Sequence, residues 1–503
     1  MAAVAAPDMH RHRSATRVAH VALFALLALL AFAWQGSRGL FDPDEGRYTA
    51  VALQMLESGD WLVPRLSDHQ EHLTKPPLYY WAVATSIAAF GANEWSVRLP
   101  NALAFLLTGF AVLALGQVFV PRRPWLPAFL WGTSLMSVLG ANLATTDTML
   151  ALFETLTVLC FVRAERAGDA RGWFVAMWAS AGLAFLTKGP PGLLPMLALV
   201  AWRIVAGRPV RALFPWQGLV AFAFGGIAWF VWLVCVHPNL LSYFAGYEFV
   251  DRVFTARHGR HPQWYGPIVV YVPALALATL PWWLLSRRWV ATLAALPRVR
   301  YWRALAQRRP ARAFLQLWIV LPLLVLCLAR SRGMLYILPL VVPLSLAFAR
   351  SLAVPRFARS RAAVAVLAGW ALLVLAGKWF VAFQLDYPKD ARVLARELAP
   401  ALADGPRRIL FLDETPSFGL RLYTGLPVEE VRSPGRTGPE GDVFVVHALC
   451  DDLALATAPV LVLQNGDAAS ALPGCPGGTW ARVRNAGAWR AGTWRPATRR
   501  DTN

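Results

Sequence analysis

Long apolar runs separated by short polar turns set the pattern of the chain up to Phe383. Runs long enough to cross a bilayer, about 20 residues with tolerance, lie at Val18–Trp34, Leu99–Val120, Trp125–Ala141, Thr148–Val162, Trp173–Leu186, Leu193–Ile204, Trp216–Val236, Ile268–Leu285, Phe314–Ala329, Met334–Ala349 and Ala362–Phe383. They predict eleven membrane-spanning helices. A twelfth run, Leu78–Phe90, has thirteen residues. It is short for a span and suits a helix lying at the interface.

After Phe383 the pattern changes. Arg408–Leu412, Val443–Val446 and Val460–Leu463 read as short strands between turn residues, and Asp390–Leu402 has helical spacing. The predicted architecture is an all-α polytopic membrane domain over residues 1–383, with a first outer loop at 37–98, followed by a small soluble α/β domain over 384–503. No repeat relates the two halves, which weighs against a transporter built from inverted repeats.

Composition agrees. The chain is 57% hydrophobic and 16% charged, against about 25% charged for soluble chains. Disordered, collagen-like and disulfide-scaffold classes are excluded. The net charge of +20 lies wholly before the tail, where 35 Lys/Arg face 15 Asp/Glu; from Gln384 onward there are 14 of each. Basicity confined to the membrane part is a topology signal and not a nucleic-acid-binding surface. With the N-terminus inside and Leu78–Phe90 not crossing, the inner segments hold 23 Lys/Arg and the outer ones 11. If Leu78–Phe90 crosses, the bias reverses. The eleven-span arrangement puts residues 37–99, 142–147, Lys188, 237–266, 330–333 and the tail on one outer face. The basic segment Met1–Arg17 has no small-residue cleavage site after the first apolar run, so that run reads as a retained helix. Cys160, Cys235 and Cys327 sit in apolar runs. Cys450 and Cys475 lie in the tail and can pair if it faces an oxidising compartment.

Ionisable groups at membrane depth cost roughly 2.5–3.5 kcal/mol each, so they are functional candidates. The first outer loop holds eight acids, and the chain has only four Lys against 45 Arg, two of them at outer turns, Lys75 and Lys188. Asp42-Pro43-Asp44-Glu45 follows the first span directly. Helix capping accounts for one of these acids but not three. Thr74-Lys75-Pro76-Pro77 places a compact ammonium, suited to an anionic phosphate, before an aromatic Tyr79-Tyr80-Trp81 belt. Asp147 ends a Thr-rich turn, where capping and function explain it about equally. Lys188 sits in a tight Thr187-Lys188-Gly189-Pro190 turn. Glu248, Arg252, His258 and His261 occupy a later outer loop, where each lone His reads first as an interfacial contact. Arg330 and Arg332 precede Tyr336-Ile337-Leu338-Pro339. Acids, lysines and arginines gathered on one outer face suit a lipid-phosphate ligand, with cations on the phosphate and an acid handling a proton.

In this order, Asp44-Glu45-Gly46-Arg47-Tyr48, Gly59-Asp60-Trp61-Leu62-Val63-Pro64, Lys75-Pro76-Pro77-Leu78, Arg98-Leu99-Pro100, Thr145-Thr146-Asp147, Thr187-Lys188-Gly189-Pro190 and Tyr336-Ile337-Leu338-Pro339 resemble the lipid-linked-sugar glycosyltransferases of the GT-C fold. The resemblance is to the bacterial aminoarabinose transferases and the protein O-mannosyltransferases, and it covers Gly39 to about Leu346. It implies about 11–13 transmembrane helices and inverting transfer of a sugar from a polyprenyl-phosphate donor to an acceptor hydroxyl on a lipid or another envelope glycan. The implied setting is the periplasmic side of a bacterial inner membrane. Asp44 matches that group's first-loop acid, with Glu45 beside it. Asp147 matches its second acid and Lys75 its phosphate-binding Lys. Lys188, Arg330, Arg332 and Tyr336 match positions lining the lipid-phosphate cavity. The aminoarabinose transferases carry Glu before the Lys-Pro and use it, with a later His, to hold zinc. Here that place is Thr74, and the histidines that could serve as metal ligands are His258 and His261. The rival class is a transporter or flippase for a polyprenyl-linked or anionic lipid.

Overall fold

The computed structural model describes residues 6–167, 170–251, 254–255, 257, 259–285, 299–352, 361–433, 447–466 and 472–497. The chain forms two compact units. One comprises residues 1–33, 101–142 and 146–381; the other comprises residues 34–100, 143–145 and 382–503.

The first unit is helical. Among the described residues, five helices are long and apolar enough to cross a membrane: Glu94–Phe119, which begins in the other unit, Trp216–Val236, Pro310–Leu328, Met334–Leu352 and Arg361–Phe383. Leu135–Ala141 and Thr146–Ala164 make a sixth if counted together, bent by 114° at a short break. Val18–Phe32, Pro190–Val205 and Gly266–Thr279 are shorter apolar helices. The predicted span Trp125–Ala141 is therefore two helices, Trp125–Gly132 and Leu135–Ala141. At the break the Thr133 hydroxyl donates back to the Phe129 carbonyl at 2.8 Å and the Ser134 hydroxyl donates to the Ala278 carbonyl at 3.0 Å. Side-chain bonds of this kind compete with the helical ladder, which hydropathy alone does not register.

Two glycines fix packing in this unit. Gly189 has φ 77° and ends the helix Arg171–Lys188 just before Pro190 and Pro191, so the chain reverses tightly without a Cβ penalty. Gly226 lies in a widened turn, Ala223–Ile227. A Cβ there would stand 3.0 Å from the Gly182 Cα, so two helix backbones meet directly. The helix Arg361–Phe383 is apolar but exposes Leu372, Leu373 and Phe380. An apolar face of this size needs a lipid or protein cover. The chain is a multi-pass membrane protein.

In the second unit the tail folds around a five-stranded sheet: β1 (Ile409–Leu412), β2 (Val428–Val431), β3 (Val460–Asn465), β4 (Gly478–Ala486) and β5 (Trp489–Pro496), in the order β2-β1-β3-β5-β4. β1 pairs in parallel with β2 and β3, and β3 and β4 pair antiparallel with β5. Leu410, Leu412, Val431, Val460, Val462 and Trp494 form its core. The predicted strands at 408–412 and 460–463 are β1 and β3, while Val443–Val446 lies outside the described residues. The predicted helix 390–402 is split into Ala391–Glu397 and Ala399–Leu402, with the Asp390 side chain capping it by accepting from the Arg392 N–H at 2.8 Å. Cys450 and Cys475 are disulfide-bonded. The first outer loop groups by contact with this tail, and it contributes the helices Asp44–Ser58 and Leu78–Phe90.

Candidate functional site

The three acids of the Asp42–Glu45 cluster have three different environments. The Glu45 side chain is 1% exposed. Its carboxylate accepts from Arg98 Nε at 2.8 Å and Nη2 at 2.9 Å, from Arg38 Nη1 at 2.7 Å, and from the backbone N–H groups of Phe41 and Ala144, both at 2.9 Å. Burial pushes this carboxyl up, but the Arg38 and Arg98 guanidiniums outweigh it and hold it well below the usual carboxylate range. Asp42 is buried too. It accepts from the Ser417 hydroxyl and from the Gly419 N–H at 3.1 Å. Burial pushes it up to about 7, against the pull of those two donors. Asp44 differs from both. Its side chain is 59% exposed and pairs with Arg47, one helical turn on. The helix starts at Asp44 with Pro43 in the cap position and no side-chain cap bond. Neither Asp42 nor Asp44 is an N-cap, so capping explains none of the three.

Lys75 is brought close through an aromatic lock. The Tyr48 ring stands edge-on to Tyr79 at 5.1 Å and tilted on Tyr80 at 5.6 Å. Tyr48 lies in the helix that Asp44 begins and Tyr79 is the second residue of the helix Leu78–Phe90, so the lock brings the N-terminal ends of the two helices together, with Lys75 three residues ahead of the second. His72, buried and hydrogen-bonded to the Thr74 hydroxyl at 2.8 Å, is held well below its ordinary value by burial, with Arg47 and Lys75 adding to the effect. It is a neutral imidazole facing two cations. Lys75 Nζ donates to the Thr74 carbonyl at 2.8 Å. Exposed Asp44 and half-buried Arg47 and Lys75 thus lie at or just ahead of paired helix starts, where backbone N–H groups and the helix dipole favour an anion.

The helical unit has a polar cluster of its own. Lys188 pairs with Asp147, both 8% exposed, and its ammonium lies 4.3 Å from the Tyr336 ring centroid. The Tyr336 hydroxyl accepts from Arg260 Nη1 at 3.5 Å. Arg332 is buried, and its guanidinium donates to the carbonyls of His261, Gln263 and Cys327. It staples a turn and does not face outward. Arg330 is exposed and donates to the Pro262 carbonyl at 3.3 Å. Sequence reasoning passed over Glu154. It is 4% exposed, its Oε1 has no hydrogen-bond partner, and it lies two turns from Asp147 on the same helix face, within electrostatic reach of Lys188. The signal was present as a carboxylate inside an apolar run.

The described residues do not assemble a zinc site. Thr74 bonds to His72, and His261 is exposed with its carbonyl taken by Arg332. Among the described residues no three His, Cys, Asp or Glu side chains converge on one point. His258 lies outside the described residues.

Known proteins resemble this chain. Residues 74–232 match the family described as dolichyl-phosphate-mannose-protein mannosyltransferase. The chain is 32% identical over 347 residues to undecaprenyl phosphate-alpha-4-amino-4-deoxy-L-arabinose arabinosyl transferase 2 of Pseudomonas fluorescens (strain Pf0-1), covering 66% of this chain and 58% of that relative. To the arabinosyl transferase of Yersinia enterocolitica it is 30% identical over 337 residues, covering 65% and 57%. The chain therefore spans less than two thirds of the length of these relatives. The crystal structure of ArnT from Cupriavidus metallidurans in the apo state aligns with a TM-score of 0.74 at 22% identity, covering 95% of this chain and 98% of that one. The chain shares the fold of that structure. The undecaprenyl-phosphate-bound form of the same ArnT aligns with a TM-score of 0.69 at 21% identity, covering 94% and 97%. The chain accordingly carries the predicted architecture, a polytopic helical protein with a small C-terminal sheet domain.

Proposed function

We propose that the chain is a glycosyltransferase of a bacterial inner membrane that moves a sugar from a polyprenyl-phosphate donor to a hydroxyl of a lipid or another envelope acceptor on the periplasmic side. One observation carries this reading: Tyr48, held by Tyr79 and Tyr80, brings together the helix start that carries solvent-facing Asp44 and the one that half-buried Lys75 precedes by three residues. The names of the relatives support the substrate class, and the tail disulfide supports an oxidising compartment.

In the proposed reaction the acceptor oxygen attacks the anomeric carbon and Asp44 takes its proton. The bond from the anomeric carbon to the phosphate oxygen breaks, configuration inverts, and the polyprenyl phosphate leaves as an anion. Lys75, with Arg47 beside it, stabilises that anion. Glu45 and Asp42 hold the loop and take no part in proton transfer. Within the helical unit Asp147 orients Lys188, which with Tyr336 and exposed Arg330 offers donors to an anion. Arg332 shapes the turn that carries Arg330.

The test is an envelope glycolipid profile, by mass spectrometry, of a strain lacking the gene. Loss of one sugar-modified species, restored by the wild-type gene but not by the Asp44→Asn variant, is expected. An unchanged profile under conditions where the protein is made contradicts the reading.

A further inference from the structure

The tail grips the first loop at both ends of the helix Asp44–Ser58. Ahead of the helix, the Gly39 N–H donates to Asp390 Oδ2 at 3.2 Å and the Leu40 N–H to the Tyr423 hydroxyl at 3.0 Å. The Ala391 N–H donates to the Leu40 carbonyl and the Asp42 N–H to the Lys389 carbonyl, both at 3.0 Å. The Asp42 carboxylate receives Ser417 and Gly419. At the far end Arg421, 1% exposed, donates to Gln54 Oε1 at 2.5 Å, Glu57 Oε2 at 2.6 Å and the Leu66 carbonyl at 2.5 Å. The fit is close. A Cβ on Gly46 would stand 2.2 Å from the Gly419 nitrogen.

Asp44 is largely exposed and, among the described residues, its side chain pairs with Arg47 alone, so its position is set by the frame of its helix. Ser417 and Arg421 reach that frame directly, two residues before Asp44 and ten to thirteen after it.

We propose that Ser417 and Arg421 are positioning residues for Asp44. The Lys389–Tyr423 segment acts as a clamp that holds the acid at the distance and angle proton transfer requires. The clamp rests on the reading of Asp44 as the acceptor-facing acid. Misplacing a reacting group by about 1 Å costs up to ~10²-fold in rate. Donor binding through Lys75, which donates to the Thr74 carbonyl, should be spared.

The experiment is steady-state transfer by full-length protein in detergent or liposomes, using polyprenyl-phosphate sugar extracted from the host. It compares wild type, Ser417→Ala, Ser417→Thr, Arg421→Lys and Asp44→Asn, each normalised to folded protein. Ser417→Ala keeps the backbone and removes one donor. Arg421→Lys keeps the charge but loses the planar fork that serves three acceptors. The clamp predicts roughly tenfold lower kcat for both, with donor KM within about twofold and near-complete rescue in Ser417→Thr. Wild-type kcat in Ser417→Ala and Arg421→Lys, with Asp44→Asn inactive, overturns the clamp and leaves the Asp44 reading standing. A matched loss of kcat and rise of KM, or a loss that disappears on normalisation, shows a merely structural role and also overturns it. An active Asp44→Asn overturns the Asp44 reading itself, and the clamp with it.

Discussion

Arg98 meets Glu45 through both Nε and Nη2, at 2.8 Å and 2.9 Å, where neither side chain is more than 1% exposed. A buried pair of this kind adds little over an apolar pair, but losing one partner strands a charge. Arg98→Met should therefore destabilise the first-loop unit by roughly 3–5 kcal/mol. Arg98→Met combined with Glu45→Gln should recover part of that loss. Thermal unfolding in detergent reads both, and an Arg98→Met variant that melts with wild type refutes the locking role.

Asp42 predicts a pH dependence. Its native value is about 7 against an ordinary 3.8, so the folded state keeps this proton longer than the unfolded chain. Between those values the unfolded state binds fewer protons, and stability falls as pH rises through that window. Glu45 opposes ionisation of Asp42; Arg47, Ser417 and Gly419 favour it. Asp42→Asn removes the titration. The melting temperature of wild type should drop more than that of Asp42→Asn between pH 5 and pH 8, and parallel curves would rule the assignment out.

Lys188 is the counter-charge of Asp147. Lys188→Met leaves that acid buried without a partner and Glu154 without a nearby cation, a change expected to cost roughly 3–5 kcal/mol. The double variant Lys188→Met/Asp147→Leu should be more stable than the single one. Additive losses in this cycle would mean that the two side chains do not interact.

Much of this was legible beforehand, because membrane helices and ordered motifs leave strong one-dimensional signals. The apolar runs located the helices, and Asp44, Lys75, Asp147 and Lys188 stood out as ionisable groups beside them. What was not legible depends on the third dimension. That Glu45 is locked and Asp44 is not follows from Arg98, 53 residues away. Arg332 looked like an outward cation until its guanidinium was seen bonded to three carbonyls. Glu154 was hidden inside a run read as apolar. The strands at 428–431, 478–486 and 489–496 were missed because charged and Gly residues blur their alternation, while pairing with β1, β3 and each other supplies the order.

The Cys450–Cys475 bond closes a loop across a sequence separation of 25. Loops of this size are worth about 3 kcal/mol through the unfolded state, so reductant should lower the melting temperature of the tail. Mass mapping of unreduced protein should find one bridged peptide pair, and two free thiols in freshly purified protein would contradict the bond.

The central claim is that Asp44 takes the acceptor proton while Lys75 holds the leaving phosphate, and single-turnover transfer with separate measurement of donor binding tests it most directly. Asp44→Asn keeps the size of the side chain at a position that caps nothing, so the fold should be unaffected. Its donor affinity should stay within about twofold of wild type while the transfer rate falls ~10²-fold or more. Lys75→Ala should weaken donor binding as well as slow transfer, because the phosphate charge is already present in the ground state. Normally folded Asp44→Asn with near-wild-type transfer would contradict the account at its centre.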